Sequence, residues 1–279
     1  MWLAPDNAGN HGRYASALTT LDRALHEPAG HTSALLAAAE EPASPDYARA
    51  VAAMETWPPH RWLELDASRL DAWSWYGGEL APRRGWPAVL ERRDAPILLL
   101  VLASTHRDGS LRERATRALA GHAGPLASAA LAVRAVDRVP EVREVARQAL
   151  NGRREVSDAG AVVPILLAAR QREAAAGVLE RYLERLAPET LRSLVSSQDR
   201  ETRRLAAEGA PFSSPELVRV AASDPDIQTC LIAARRAISQ DRAAAGRPNA
   251  EQAAQLRDWL VRPRLPRDLE RLVRFHAGL

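Results

Sequence analysis

Four arginines constrain the fold more than any other feature. Arg112, Arg143, Arg172 and Arg203 stand in the segments LRERATRAL, VREVARQAL, QREAAAGVL and TRRLAAEGA, which share the pattern apolar-Arg-x-x-Ala-x-x-Ala-Leu in full or in part. Their separations are 31, 29 and 31 residues. A near-constant period held over four copies marks a repeat architecture rather than a single motif. The most regular stretch, Ala95 to Gly152, contains two complete copies, each an apolar helix, a short polar turn and a second helix. A shorter fifth copy follows in ELVRVAASDPDIQTCLIAARRAI, with Gln228 in the arginine position at a spacing of 25.

A helix pair of this length cannot bury its own apolar face, and stacking successive pairs makes one continuous core. Alanines at the signature positions let neighbouring helices approach closely. The turn aspartates Asp108, Asp137, Asp199 and Asp224 stand where a carboxylate caps the next helix, an interaction worth about 1 kcal/mol. Composition agrees: the apolar residues are mostly Ala, Leu and Val, with two Phe, and Ala, Leu, Arg and Glu are strong helix formers. The expected class is all-α, a right-handed α-solenoid of stacked antiparallel helix pairs.

These units resemble HEAT repeats of the short bacterial type, whose pattern is an apolar first helix, an Asp-rich turn and Val-Arg-x-x-Ala-x-x-Ala-Leu. Asp108-Gly-Ser-Leu-Arg112 and Asp137-Arg-Val-Pro-Glu-Val-Arg143 carry the likeness, which covers Pro87 to Ile238. Gln171, where an apolar residue belongs, and Gln228 depart from it. The resemblance implies that each signature arginine pairs with an aspartate in the turn of its own or the next repeat. A second, shorter likeness, to one helix of a tetratricopeptide repeat, rests on Gly12, Tyr14, Ala17, Ala24, Leu25 and Pro28, with Pro28 one residue early.

Two regions are expected: an N-terminal helical region, 1–86, and the repeat array, 87–279. The first opens with a lead-in to residue 11, then a helix with the apolar stripe Tyr14, Ala17, Leu18, Leu21, Ala24 and Leu25. A second helix starts near Thr32, and a third runs from Asp46 to Trp57, where Pro58-Pro59 stops it. The segment HRWLELDASRLDAWSWYGG follows, dense in aromatics. Beyond Asn249 two more helices are expected, Glu251 to Val261 and Arg267 to His276. The chain stops at Ala277-Gly-Leu279 with no evident polar cap, so the array is expected to be open to continuation.

Charge narrows the function classes little. All 38 basic residues are arginine, and the net charge is only +3 against a pI near 9.6; codon bias toward arginine is the preferred explanation over phosphate or carboxylate recognition. One cysteine, Cys230, leaves no internal disulfide or multi-cysteine metal site and reads as a small core residue. The longest apolar run, Ala95 to Ala103, is too short to span a bilayer, and the N-terminus carries no secretory pattern. A cytoplasmic chain with no membrane role follows as the expectation.

No pair among the seven histidines has the HExxH spacing of a zinc site, and phosphate-loop and nucleophile-elbow motifs are absent. No cofactor and no metal are expected. The arginine ladder reads either as a phosphate track or as structural pairs with turn aspartates, the latter being the usual use in HEAT proteins. Arg114, Arg117, Arg134, Arg138, Arg147, Arg153 and Arg154 are freer of the motif and form candidate binding groups. Trp62, Trp73, Trp75 and Tyr76, with Asp66, Asp71, Arg61 and Arg69 among them, form either an aromatic pocket for a partner or the filling of a helix junction.

The leading functional expectation is a non-catalytic scaffold that binds a protein or peptide on the concave face of the solenoid. The alternative is a nucleic-acid-binding protein or a relative of the HEAT-like DNA glycosylases, in which Asp71 would be the catalytic carboxylate with Trp73 and Trp75 beside it. A role like that of HEAT-type phycobilin lyases has only the repeat likeness behind it.

Overall fold

In the computed structural model the described residues are 21, 23–26, 32–75, 85–175 and 177–245, with the backbone alone at 32, 68–75, 173 and 241–245. Every regular element among them is helical. The chain divides into two compact units, Met1–Arg185 and Leu186–Leu279. The expected C-terminal helices lie outside the described residues. So does the tetratricopeptide-like stretch, save residues 21 and 23–26, where Leu21, Ala24 and Leu25 are buried.

The first unit contains α1 (Thr32–Ala39), α2 (Pro45–Glu55) and α3 (Pro59–Trp75). Ser44 starts α2 by accepting the Tyr47 amide at 3.1 Å, and Pro45 occupies the first turn, where its missing N–H is harmless. A short helix, α4 (Gly85–Leu90), leads into the pairs α5 (Ile97–Ser104) with α6 (Gly109–Ala120), and α7 (Pro125–Arg134) with α8 (Pro140–Leu150). Asp108 caps α6 through the Ser110 amide at 2.8 Å. Gly124 enters α7 at φ +101°, a conformation side chains disfavour.

Helix α5, ILLLVLAS, and helix α7, PLASAALAVR, are apolar around nearly their whole circumference, and such helices must be covered on every side. Leu98 to Ser104 and Leu126 to Arg134 are all buried. One side is covered by the second helices, with α6 against α5 and α8 against α7. The other side is covered by the N-terminal helices: α1 lies on α5, α2 on α7, and α3 on both α7 and α9 (Val156–Ala168). The first unit is therefore three helical layers deep where the repeat pattern alone suggests two.

The third repeat departs from its expected second helix. QREAAAGVL does not form one helix: Arg172 sits in the turn, Glu173–Ala175 is a single 3₁₀ turn, and α10 (Val178–Leu183) begins only after Gly177 at φ +66°. A right-handed helix cannot run through a residue in that left-handed conformation.

The second unit contains α11 (Pro188–Ser193), a 3₁₀ turn at Leu194–Ser196, α12 (Arg200–Gly209), α13 (Ser214–Ser223) and α14 (Ile227–Ala245). Asp199 accepts the Thr202 amide at 2.8 Å, and Glu216 accepts the Ser213 amide and hydroxyl, fixing the starts of α12 and α13. Its core joins Phe212, Leu217, Val218 and Leu231 to Ala207, Ala233, Ala234 and Ala237, the small residues permitting close packing of α14. Cys230 is half-buried rather than a core residue, and its Sγ donates to the Asp224 carbonyl at 3.3 Å.

Leu100 is fully buried in α5. Leu100→Ala is expected to destabilise the protein by about 2–5 kcal/mol, whereas Val156→Ser, at an exposed position, changes stability by less than about 0.5 kcal/mol. Urea unfolding followed by circular dichroism measures both.

Candidate functional site

One contact recurs at the ladder arginines. The Nη1 of Arg112 donates to the carbonyls of His106 and Arg107, at 2.8 and 2.9 Å. That of Arg143 donates to Asp137 and Arg138, at 2.7 and 2.8 Å, and that of Arg203 to Ser197 and Gln198, at 3.0 and 3.1 Å. Each guanidinium thus closes the turn ahead of its own helix. The remaining edge then reaches forward in two of the three: Arg112 grips both oxygens of Asp137 at 3.0 Å, and Arg203 Nε meets Asp224 at 2.9 Å. In both, a signature arginine pairs with an aspartate in the turn that precedes the next signature position.

Arg143 has no such partner. No carboxylate among the described residues comes within ion-pair distance of it, because the turn after α9 reads Ala169-Arg170-Gln171-Arg172 and carries no acid. Arg172, released from its expected helix, turns instead to Asp66 on α3, at 3.0 Å.

Asp66 also pairs with Arg134, and Arg134 pairs in turn with Asp137 at 2.6 Å. The result is an alternating chain, Arg172–Asp66–Arg134–Asp137–Arg112, that links α3, α6, α7 and the turns after α7 and α9. Arg134 is 1% exposed at its position ending an otherwise apolar helix. Burial pushes the Asp66 carboxyl upward, but the charges and hydrogen bonds of Arg134 and then Arg172 outweigh it and hold the group below its ordinary value.

This chain floors a cleft of about 680 Å³. Five arginines line it, Arg112, Arg134, Arg138, Arg143 and Arg172, against two aspartates, Asp66 and Asp137, an excess of three positive charges. Arg138 is exposed and makes no side-chain hydrogen bond or ion pair among the described residues. The small and apolar residues Ala67, Val136 and Ala174 complete part of the wall. Chemically this is an anion-receiving concavity with partly neutralised walls.

The other expected site residues fall elsewhere. Trp62 is buried and packs edge-on against Trp57, ring centres 5.6 Å apart, so it fills the core beneath α3. Trp73, Trp75 and Asp71 are placed on α3 by backbone alone, and their side chains, like Tyr76, lie outside the described residues. Arg114 is exposed, 3.8 Å from Glu91, and Arg117 pairs with Glu113 one turn away on α6.

Arg147 and Arg153 are structural. Arg147 donates to the carbonyls of Ala135 and Ala174, at 3.1 and 2.7 Å; its burial, then the charges of Arg181 and Arg143, lower its pKa. Arg153 is buried and donates to the carbonyls of Leu119, Ala120 and His122, closing the end of α6, while its own carbonyl accepts the Tyr182 hydroxyl at 2.7 Å. Burial, with Asp158 adding to it, drives the Tyr182 hydroxyl well above the usual phenol range.

Sequence reasoning left Arg134 among the loose arginines and Asp66 among the acids of the tryptophan segment. The available signal was Arg134 itself, a charge ending an otherwise apolar helix that has to be buried. Among the described residues no group of His, Cys, Asp and Glu is arranged to hold a metal, and no helix is long and apolar enough to cross a membrane. Comparison of the chain with protein-family models, with curated proteins and with solved structures returns no match.

Asp66→Ala leaves Arg134 short of a carboxylate in a buried site and is expected to cost about 3 kcal/mol in thermal or urea unfolding. Because the folded-state pKa of Asp66 is lowered, its contribution is present in full above about 3.9 and is lost as pH falls through its own lower value. Asp66→Asn removes that titration, so an acid-unfolding profile of the variant is expected to be shallower than that of the parent.

Proposed function

We propose that the chain is a non-catalytic interaction module of the HEAT-repeat type, its helix pairs stacked within each unit in the manner of an α-solenoid. What supports the likeness is the thrice-repeated bracket of Arg112, Arg143 and Arg203 on the two carbonyls five and six residues before each. Three equivalent arginines making one contact is the behaviour of a structural repeat.

The partner on this reading is a protein or peptide, and the cleft of the first unit is where it binds. The single observation that carries this is the excess of arginine over aspartate in a concavity of about 680 Å³, large enough to seat several side chains. The glycosylase reading draws no comparable support. It assigns the catalytic carboxylate to Asp71, whose side chain lies outside the described residues, while Asp66 in the same segment is engaged by two arginines.

Selection of displayed peptides on the immobilised chain, run beside a salt titration with duplex DNA, tests the proposal. Enrichment of peptides that bind saturably and in micromolar range or better is expected. Failure to enrich any peptide, together with DNA binding that weakens steeply with added salt as phosphate contacts require, would overturn it.

A further inference from the structure

We infer that the open edge of Arg143 receives a carboxylate side chain from an acidic peptide segment, with Arg138 and Arg172 lining the same cleft; this rests on the interaction-module reading above. The argument is one of equivalence. Arg112, Arg143 and Arg203 use Nη1 identically, on two turn carbonyls. In Arg112 the edge left over, Nε and Nη2, holds both oxygens of an aspartate from the next turn, and in Arg203 Nε does the same with one oxygen. The complement of that edge in this protein is therefore a carboxylate, supplied internally twice.

At Arg143 no described residue supplies that carboxylate. Gln171 stands three residues past the end of α9, as Asp137 stands three past the end of α7, and it brings an amide where its counterpart brings a charge. The guanidinium nevertheless stays half-buried against the cleft wall. A planar fork so placed accepts an incoming carboxylate through two parallel charge-assisted hydrogen bonds.

Two further features favour an acidic peptide over a nucleic-acid backbone. Asp66 and Asp137 line the same cleft and oppose a ligand that must seat several phosphates together, whereas one to three carboxylates match the local excess of positive charge. Ala67, Val136 and Ala174 offer apolar contact to the methylene stems of glutamate and to neighbouring peptide side chains. Arg138, exposed and free of described partners, supplies the second cation; Arg172, its side chain 34% exposed, supplies the third while retaining Asp66.

The test titrates the full chain with a fluorescein-labelled oligoglutamate peptide and, separately, with its oligoglutamine counterpart, reading anisotropy. Oligoglutamate is expected to bind and oligoglutamine not to. Arg138→Gln is expected to weaken binding about tenfold, the loss of one charge-assisted contact, and Arg143→Gln at least as much. Arg117→Gln, which removes an exposed arginine paired with Glu113 outside the cleft, is expected to leave binding unchanged.

Arg143 also closes a turn, so circular dichroism accompanies its variant; if that variant unfolds, Arg138→Gln alone decides. Equal binding of the two peptides, or equal loss in Arg138→Gln and Arg117→Gln, overturns the inference. A single-stranded oligodeoxynucleotide that binds more tightly than oligoglutamate and depends on Arg138 overturns it in favour of phosphate. Displayed peptides that bind but are not acidic, and are indifferent to Arg138→Gln, leave the interaction module standing and remove this inference alone.

Discussion

The first unit depends on one buried guanidinium. Arg134 ends a helix that is apolar on all sides, and its charge is stable there only because Asp66 and Asp137 both reach it. Taking a charge out of water carries a penalty of several kcal/mol that good geometry repays. The repayment comes from two different places in the chain, α3 and the turn after α7. The pairing therefore does more than offset desolvation: it ties an N-terminal helix to the repeats at one register, since no other carboxylate of the described part of α3 lines the cleft beside Asp66. A hydrophobic interface between α3 and α7 would tolerate sliding by a residue far better than this contact does.

The irregular third repeat joins the same tie. In the other units that carry the signature arginine, the turn before the second helix supplies an aspartate and the arginine stays on its helix. Here the turn has no aspartate, and Gly177 at φ +66° interrupts the helix. Arg172 then pairs with the second oxygen of Asp66, so the carboxylate that neutralises Arg134 also anchors the broken segment. Two local failures of the repeat pattern, a missing acid and an interrupted helix, converge on the same cleft.

The helical class, the turn caps at Asp108 and Asp199, and the role of Arg112 and Arg203 were legible from the sequence because each depends on residues close in the chain or one period apart. The three-layer depth was not. Periodicity reports that a helix face is apolar, and ILLLVLAS reports that all faces are, yet neither says which distant helix covers them. The link from Asp66 to Arg134 spans 68 residues and that from Asp66 to Arg172 spans 106, distances at which no spacing rule operates. Trp62 shows the same limit from the other side: an aromatic in a polar segment looks like a contact residue until its ring is found buried against Trp57.

Arginine count is a poor guide to binding in such a chain, and the assignment of partners is a better one. The repeat signature does not require Arg147 or Arg153, yet each is committed to backbone carbonyls of neighbouring segments. Arg143 belongs to the signature, yet among the described residues only its Nη1 is engaged. In a repeat protein the arginines equivalent by position share one structural duty, and whatever remains after that duty is met is available for something else. The residue left with most to offer is therefore the one whose repeat lost its internal partner, and the place to look for it is the turn where the pattern loses its acid.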